Sequence, residues 1–197
     1  MGRPRAEDVK VSTPQRVLEA AELVFAEQGY GPAKLADIAA RAGIRRPSLL
    51  YHFKSKEELY QATVQRAFSN LGEALRAAML SEGSFQERLL ETAERYAAFL
   101  AENQQVARIV LRELLDSKGP GPGTDILMNQ VSPLVDAVEA FIATQGDDVI
   151  ADGAPVRARI MCIASTLIMR AAAQVRDALW GPQPHARALS KALFLRT

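Results

Sequence analysis

Residues 35–53, LADIAARAGIRRPSLLYHF, constrain the fold of this chain more than any other stretch. Leu35, Ile38, Ala39 and Ala42 recur at three- and four-residue spacing, which puts them on one stripe of a short helix. Gly43 follows, able to take a positive φ just past a helix end, so the chain can turn a tight corner there. A second short helix fits behind it, with Pro47 in its first turn, where a missing N–H costs nothing, and with Leu49 and Phe53 facing inward. Two helices joined by a few residues around a glycine make the helix-turn-helix pattern. The second helix carries Arg45, Arg46, Ser48, Tyr51 and His52, donors and ring surfaces suited to phosphates and base edges. It reads as a DNA-recognition helix.

Helices this short cannot stand alone and must share a core with their neighbours. Upstream, Thr13-Pro14 is a cap followed by a first-turn proline and starts a helix to Gln28, with Val17, Leu18, Ala21, Val24 and Phe25 as its inward stripe. Gly29 ends it. Downstream, Ser55 and Glu58 have capping-box spacing and start a helix at Lys56 that runs to about Leu80. Lys56 stands in the first turn, at the positive end of the helix dipole, a place that favours a bound phosphate. Residues 1–12 read as an arm, either solvated or laying Arg3 and Arg5 in a minor groove.

The formal net charge of +1 is unevenly divided. Residues 1–56 hold 10 Lys and Arg against 6 Asp and Glu, and residues 57–197 hold 14 against 17, so the positive field lies where a nucleic-acid footprint requires it. The single cysteine, Cys162, lies in an apolar run, reads as buried, and fits a reducing cytoplasm. The N-terminus lacks the apolar core of a signal peptide, and Ala6 breaks the myristoylation pattern. The densest apolar run, Ile160 to Val175, is interrupted by Ser165, Thr166, Arg170 and Gln174, so no membrane span is expected. The expectation is a cytoplasmic protein with no membrane partner.

The rest of the chain is helical by pattern: 85–103, 106–115, 125–144, 155–180 and 185–195. Residues 116–124, DSKGPGPGT, read as a break that no helix crosses, and 146–155 as a loop. In the helix 155–180, Val156, Ile160, Ile163, Leu167 and Ala171 cover one face, while Met161, Ile168, Ala172, Val175 and Leu179 cover another, so it must be buried on two sides. The last helix presents Leu189, Ala192 and Leu193 on one side. The fold class is all-α, with a three-helix DNA-binding domain in residues 1–55 and a larger helical domain in residues 56–197.

Nothing supports catalysis. There are two histidines, His52 and His185, and no zinc-protease, nucleophile-elbow, phosphate-loop or dinucleotide motif. Cys162 has no neighbouring His or Lys to lower its pKa. The chain reads as a non-enzyme needing neither cofactor nor metal.

Residues 16–59, with their RVLEAAELVFAEQGY, DIAARAGI and LLYHFKSKEEL segments, resemble the DNA-binding domain of the TetR family of bacterial transcriptional regulators. The resemblance implies a homodimer that binds a palindromic double-stranded DNA operator as a repressor and is released by a small-molecule effector in the C-terminal domain. It also implies that the last two helices pair with their equivalents in a four-helix interface. Carried over by position, Arg45, Arg46, Ser48, Tyr51 and His52 belong to the recognition helix, and Lys56 matches a phosphate-contacting lysine. Phe68, Leu71, Tyr96, Phe99, Arg112, Met128, Cys162, Thr166, Met169 and Arg170 lie on helices whose counterparts line the family's ligand cavity. In two places the chain departs from the pattern. Ala33-Lys34 replaces the usual Thr or Ser cap of the second helix, leaving Lys34 to compensate by attraction to phosphate. Leu50 stands where a tyrosine is common, with Tyr51 about 100° further round the helix. These departures leave an alternative open, a helical interaction protein that keeps the motif without sequence-specific operator binding.

Overall fold

The computed structural model describes residues 12–115, 119–144, 150, 153–173, 176–181 and 185–195, and the fold they form is all-α. In chain order the helices are α1 (Thr13–Gln28), α2 (Leu35–Arg41), α3 (Arg46–His52), α4 (Lys56–Met79), α5 (Phe85–Glu102), α6 (Gln104–Leu114), α7 (Pro122–Ala143), α8 (Val156–Ala172), α9 (Arg176–Trp180) and α10 (Ala186–Phe194). Among the described residues the extended pairing is a single antiparallel bridge between Ile150 and Leu195.

Several boundaries differ from those the pattern predicts, each for a local reason. The cap of α1 is Ser12 rather than Thr13, its hydroxyl accepting the Gln15 N–H at 3.4 Å. Ser55 caps α4 by accepting the Glu58 N–H, but the Glu58 carboxylate takes the N–H of Lys54 at 2.7 Å, so the box closes one residue early. Helix α7 starts at Pro122, inside the glycine- and proline-rich stretch, because a proline in the first turn forfeits no hydrogen bond. The predicted helix 155–180 is two helices, with Ala173 extended at φ −75° and ψ 135°. On α10 the buried residues are Ala186, Ser190 and Phe194, and Ala192 is exposed.

Two cores result. In the first, α1 to α3 close over the start of α4. Val17, Phe25, Ile38, Leu49, Leu59 and Tyr60 are fully buried there, and the Phe25 and Tyr60 rings meet edge to face at 4.8 Å. Arg66 on α4 reaches Glu22 on α1 at 2.9 Å and ties the long helix to this unit. In the second, α4 continues against α5 and α7, while α8 packs on α6, α7 and α10. Arg157 bridges Asp136 and Glu139, both at 2.7 Å, fastening α8 to α7. Helix α7 is long and apolar enough to cross a membrane by length and composition, a feature the run from Ile160 to Val175 had hidden. Its apolar residues have another use: Leu127 and Ile142 are buried, and Ile126, Val131, Leu134, Val138 and Phe141 pack on the core.

Candidate functional site

The helix-turn-helix is built as its sequence requires. Lys34 precedes α2 with no side-chain cap, and Gly43 turns the corner at φ +68°. Leu49 is fully buried and Phe53 nearly so, which fixes the rotation of α3. The opposite face carries Arg45, Arg46 and Ser48, all exposed, and Tyr51 at 76% exposure. His52 is half-buried with its ring edge-on to Tyr51 at 5.2 Å. Lys34 is exposed ahead of α2. Lys54, which the sequence pattern did not single out, lies over the Tyr51 ring at 5.5 Å and donates to the Tyr51 carbonyl at 3.0 Å. Its ammonium also meets the negative end of the α3 dipole. The arm, Gly2 to Arg5, lies outside the described residues.

Lys56 is placed otherwise than the resemblance implies. Its Nζ donates to three backbone carbonyls, Tyr30 and Gly31 at 2.8 Å and Ala33 at 3.2 Å, and sits 4.7 Å from the centre of the Tyr30 ring. An ammonium has three donors. All three are committed to the loop between α1 and α2, and burial draws the Lys56 pKa below the ordinary lysine value. This lysine holds the entry to α2 instead of reaching outward to a phosphate.

A second junction joins the DNA-reading unit to the larger body. Arg112 on α6 donates from Nε to the Ala26 carbonyl at 2.6 Å, capping the C-terminal end of α1. That contact takes Arg112 out of the candidate ligand set. Its neighbour Glu113 accepts the Tyr30 N–H at 3.1 Å. Burial, and then the Glu113 carboxylate, push the Tyr60 hydroxyl well above the usual phenol range. Gly123, in the first turn of α7, lies so close that a Cβ there would stand 2.7 Å from both the Tyr30 Cβ and the Glu113 Oε2.

The larger body holds a partly open cavity of about 210 Å³ between α4, α5, α6, α7, α8 and α10. Of the candidate residues, Phe68, Leu71, Tyr96, Phe99 and Met128 line it. Cys162, Thr166, Met169 and Arg170 do not. Cys162 is exposed, because the apolar run it belongs to covers two faces of α8 and it falls on the outer one. Met169 is 51% exposed on that outer side. Thr166 spends its hydroxyl on the Cys162 carbonyl at 2.8 Å, and Arg170 is buried away from the lining. Two polar side chains on the lining, Thr92 and Ser190, escaped the sequence pattern, and they stand there with the hydroxyl of Tyr96. Thr92 donates to the Arg88 carbonyl at 2.8 Å and Tyr96 to the Ala164 carbonyl at 3.5 Å. Burial raises the Tyr96 pKa, so its hydroxyl stays protonated. Among the described residues no group of three or more His, Cys, Asp or Glu side chains is arranged to hold a metal ion.

The outer side of α8 carries an apolar patch. Met161, which also lines the cavity, is 45% exposed and Met169 51%, with Cys162 and Ser165 between them, and Leu179 of α9 is 68% exposed. Ile168 and Ala172 are half-buried, and Val175 lies outside the described residues.

Comparison with known proteins agrees with this geometry. Residues 17–63 match the family described as bacterial regulatory proteins, tetR family. The transcriptional activator FasR of Mycolicibacterium smegmatis is 37% identical over 95 residues, which is 48% of this chain and 43% of that protein. The chain thus spans less than half the length of that relative. A TetR-like transcriptional regulator from Rhodococcus sp. RHA1 superposes with a TM-score of 0.70 at 20% identity, over 96% of this chain and 95% of that one. The SmeT–triclosan complex superposes with a TM-score of 0.71 at 21% identity, over 93% and 92% of the two chains. Residues 17–63 thus carry the helix-turn-helix domain of the tetR family of bacterial regulatory proteins, and the chain as a whole shares the fold of TetR-like regulators.

Proposed function

We propose that this chain is a ligand-responsive, cytoplasmic transcriptional repressor that binds an inverted-repeat DNA operator as a homodimer and leaves it when a small molecule fills the cavity of the larger body. The observation that carries the reading is the two-sided build of α3, with Leu49 and Phe53 buried and Arg45, Arg46, Ser48 and Tyr51 outward. In this reading Arg45 and Arg46 contact base edges, while Ser48, Tyr51, His52 and Lys34 contact backbone or flanking bases. Lys56 acts indirectly, by positioning α2 through the loop it clamps.

The exposed apolar face of α8 supports dimerisation, since a second copy related by a two-fold axis would cover it. Two α3 helices in successive major grooves would lie about 34–36 Å apart. The neighbour bound to triclosan supports a cavity that admits a small molecule, since the fold is shared. Helix α4 is the lever, because it contributes Leu59 and Tyr60 to the first core and Phe68 and Leu71 to the cavity wall. Moving such an equilibrium from 1:99 to 99:1 takes about 5.5 kcal/mol of differential affinity.

The test is selection of bound genomic fragments by the purified protein at near-physiological salt. An enriched inverted repeat with half-sites one helical turn apart supports the reading. Binding that falls steeply with salt and enriches no sequence overturns it in favour of a helical interaction protein.

A further inference from the structure

Among the described residues, the lining of the cavity carries no charged side chain. An ion moved into such a space loses its hydration and finds no opposite charge, so it enters neutralised or not at all. A cation held by aromatic faces needs several rings converging on one point. Four aromatic side chains, Phe68, Tyr96, Phe99 and Phe194, line the wall, but the ring-to-ring contacts among the described residues are made by other side chains, so these four do not form a box.

The polar atoms on the wall are equally telling. Thr92 donates its hydroxyl hydrogen to the Arg88 carbonyl, and Tyr96 leans on the Ala164 carbonyl. Ser190 differs from both. It is 1% exposed, lines the cavity from α10, and makes no hydrogen bond to another described residue. Serines inside a helix commonly bond back to their own backbone. A buried hydroxyl that forgoes this stands ready for one partner, and leaving it unmade costs free energy.

We propose that the cavity takes an uncharged lipophilic molecule with a single hydrogen-bonding group, and that Ser190 recognises that group. The inference rests on reading the cavity as the effector site. It sharpens that reading to a ligand class, one in which carboxylates and quaternary ammonium ions are rejected by desolvation and the hydroxyl of Ser190 orients the rest.

The test loads the full-length protein with the neutral fluorophore N-phenyl-1-naphthylamine and displaces it with 1-decanol, decanoate, decyltrimethylammonium or 1-chlorodecane. Decanol is expected to displace at a concentration at least about tenfold below either charged chain. Ser190→Ala should weaken decanol about three- to tenfold, the worth of one neutral hydrogen bond, and leave chlorodecane unchanged. Ala93→Leu, on the cavity wall, should weaken every probe, whereas Ala101→Leu, exposed on the same helix, should not. Equal or tighter binding of a charged chain overturns the proposal, as does an absence of displacement by decanol. An unchanged decanol affinity in Ser190→Ala overturns the role of Ser190. Operator binding is measured in parallel. Decanol bound without any change at the operator removes the effector reading and keeps the cavity chemistry, while preference for a charged chain removes the cavity chemistry and leaves the regulator intact.

Discussion

Leu49 in the DNA-reading unit and Leu71 in the larger body are both buried leucines, 0% and 3% exposed, yet their surroundings differ. Leu49 sits in the first core, beneath the exposed arginines of α3. Leu71 stands on the wall of the 210 Å³ cavity, whose lining includes nothing N-terminal to Phe68. A filled core moves as a body, because interdigitated side chains resist small displacements. A hollow one can repack around whatever enters. In the proposed reading, this contrast lets one chain of 197 residues present DNA with a fixed surface and still respond to a small molecule.

The sharpest way to break the comparison is a pair of identical truncations. Leu49→Ala should cost about 2.7–5 kcal/mol of stability by denaturant titration, the range for a new cavity in a well-packed core. Leu71→Ala enlarges a space that already exists and should cost about 2–2.5 kcal/mol, close to the transfer of the three lost carbons alone. Equal losses would mean that the two cores are packed alike.

Between these lie two substitutions on the DNA-reading unit. Arg46→Ala should leave the melting curve within about 0.5 kcal/mol of wild type and cost about 1–3 kcal/mol of discrimination at one operator position. Lys56→Met should strand the carbonyls of Tyr30, Gly31 and Ala33 and cost about 1–3 kcal/mol of stability. Operator affinity should then fall while its salt slope stays unchanged. A slope reduced by about 1 would show instead that Lys56 neutralises a phosphate in the complex. The smallest expected effect is that of Cys162→Ser, which should be near neutral in a folded monomer because the thiol is exposed, and should register in the dimer dissociation constant.

The same contrast explains what could be read from the residues alone. The first unit is built from local rules. The Gly43 corner, the first-turn Pro47 and the inward pair Leu49 and Phe53 each depend on neighbours a few residues away, so pattern suffices. The direction of Lys56 does not, since its partners lie 23 to 26 residues upstream on a loop whose shape no local rule sets. In the larger body, helix positions were legible and rotations were not. Residues 160–175 are apolar around most of the helix, and composition cannot say that Ile163 turns inward while Cys162 turns out. The break at Ala173 carries no glycine or proline to announce it. Ser190 was invisible for the opposite reason, being a small polar residue on a helix whose apolar pattern is carried by others.

Gly123 bears on how such chains diversify. The first turn of α7 is pressed against Tyr30 and Glu113 so closely that even a methyl group would collide. The loop between α1 and α2 and the first turn of α7 are therefore fitted to each other side chain by side chain. Exchange of whole DNA-binding domains between regulators would not yield a working chimaera unless residues 30, 113 and 123 travelled together.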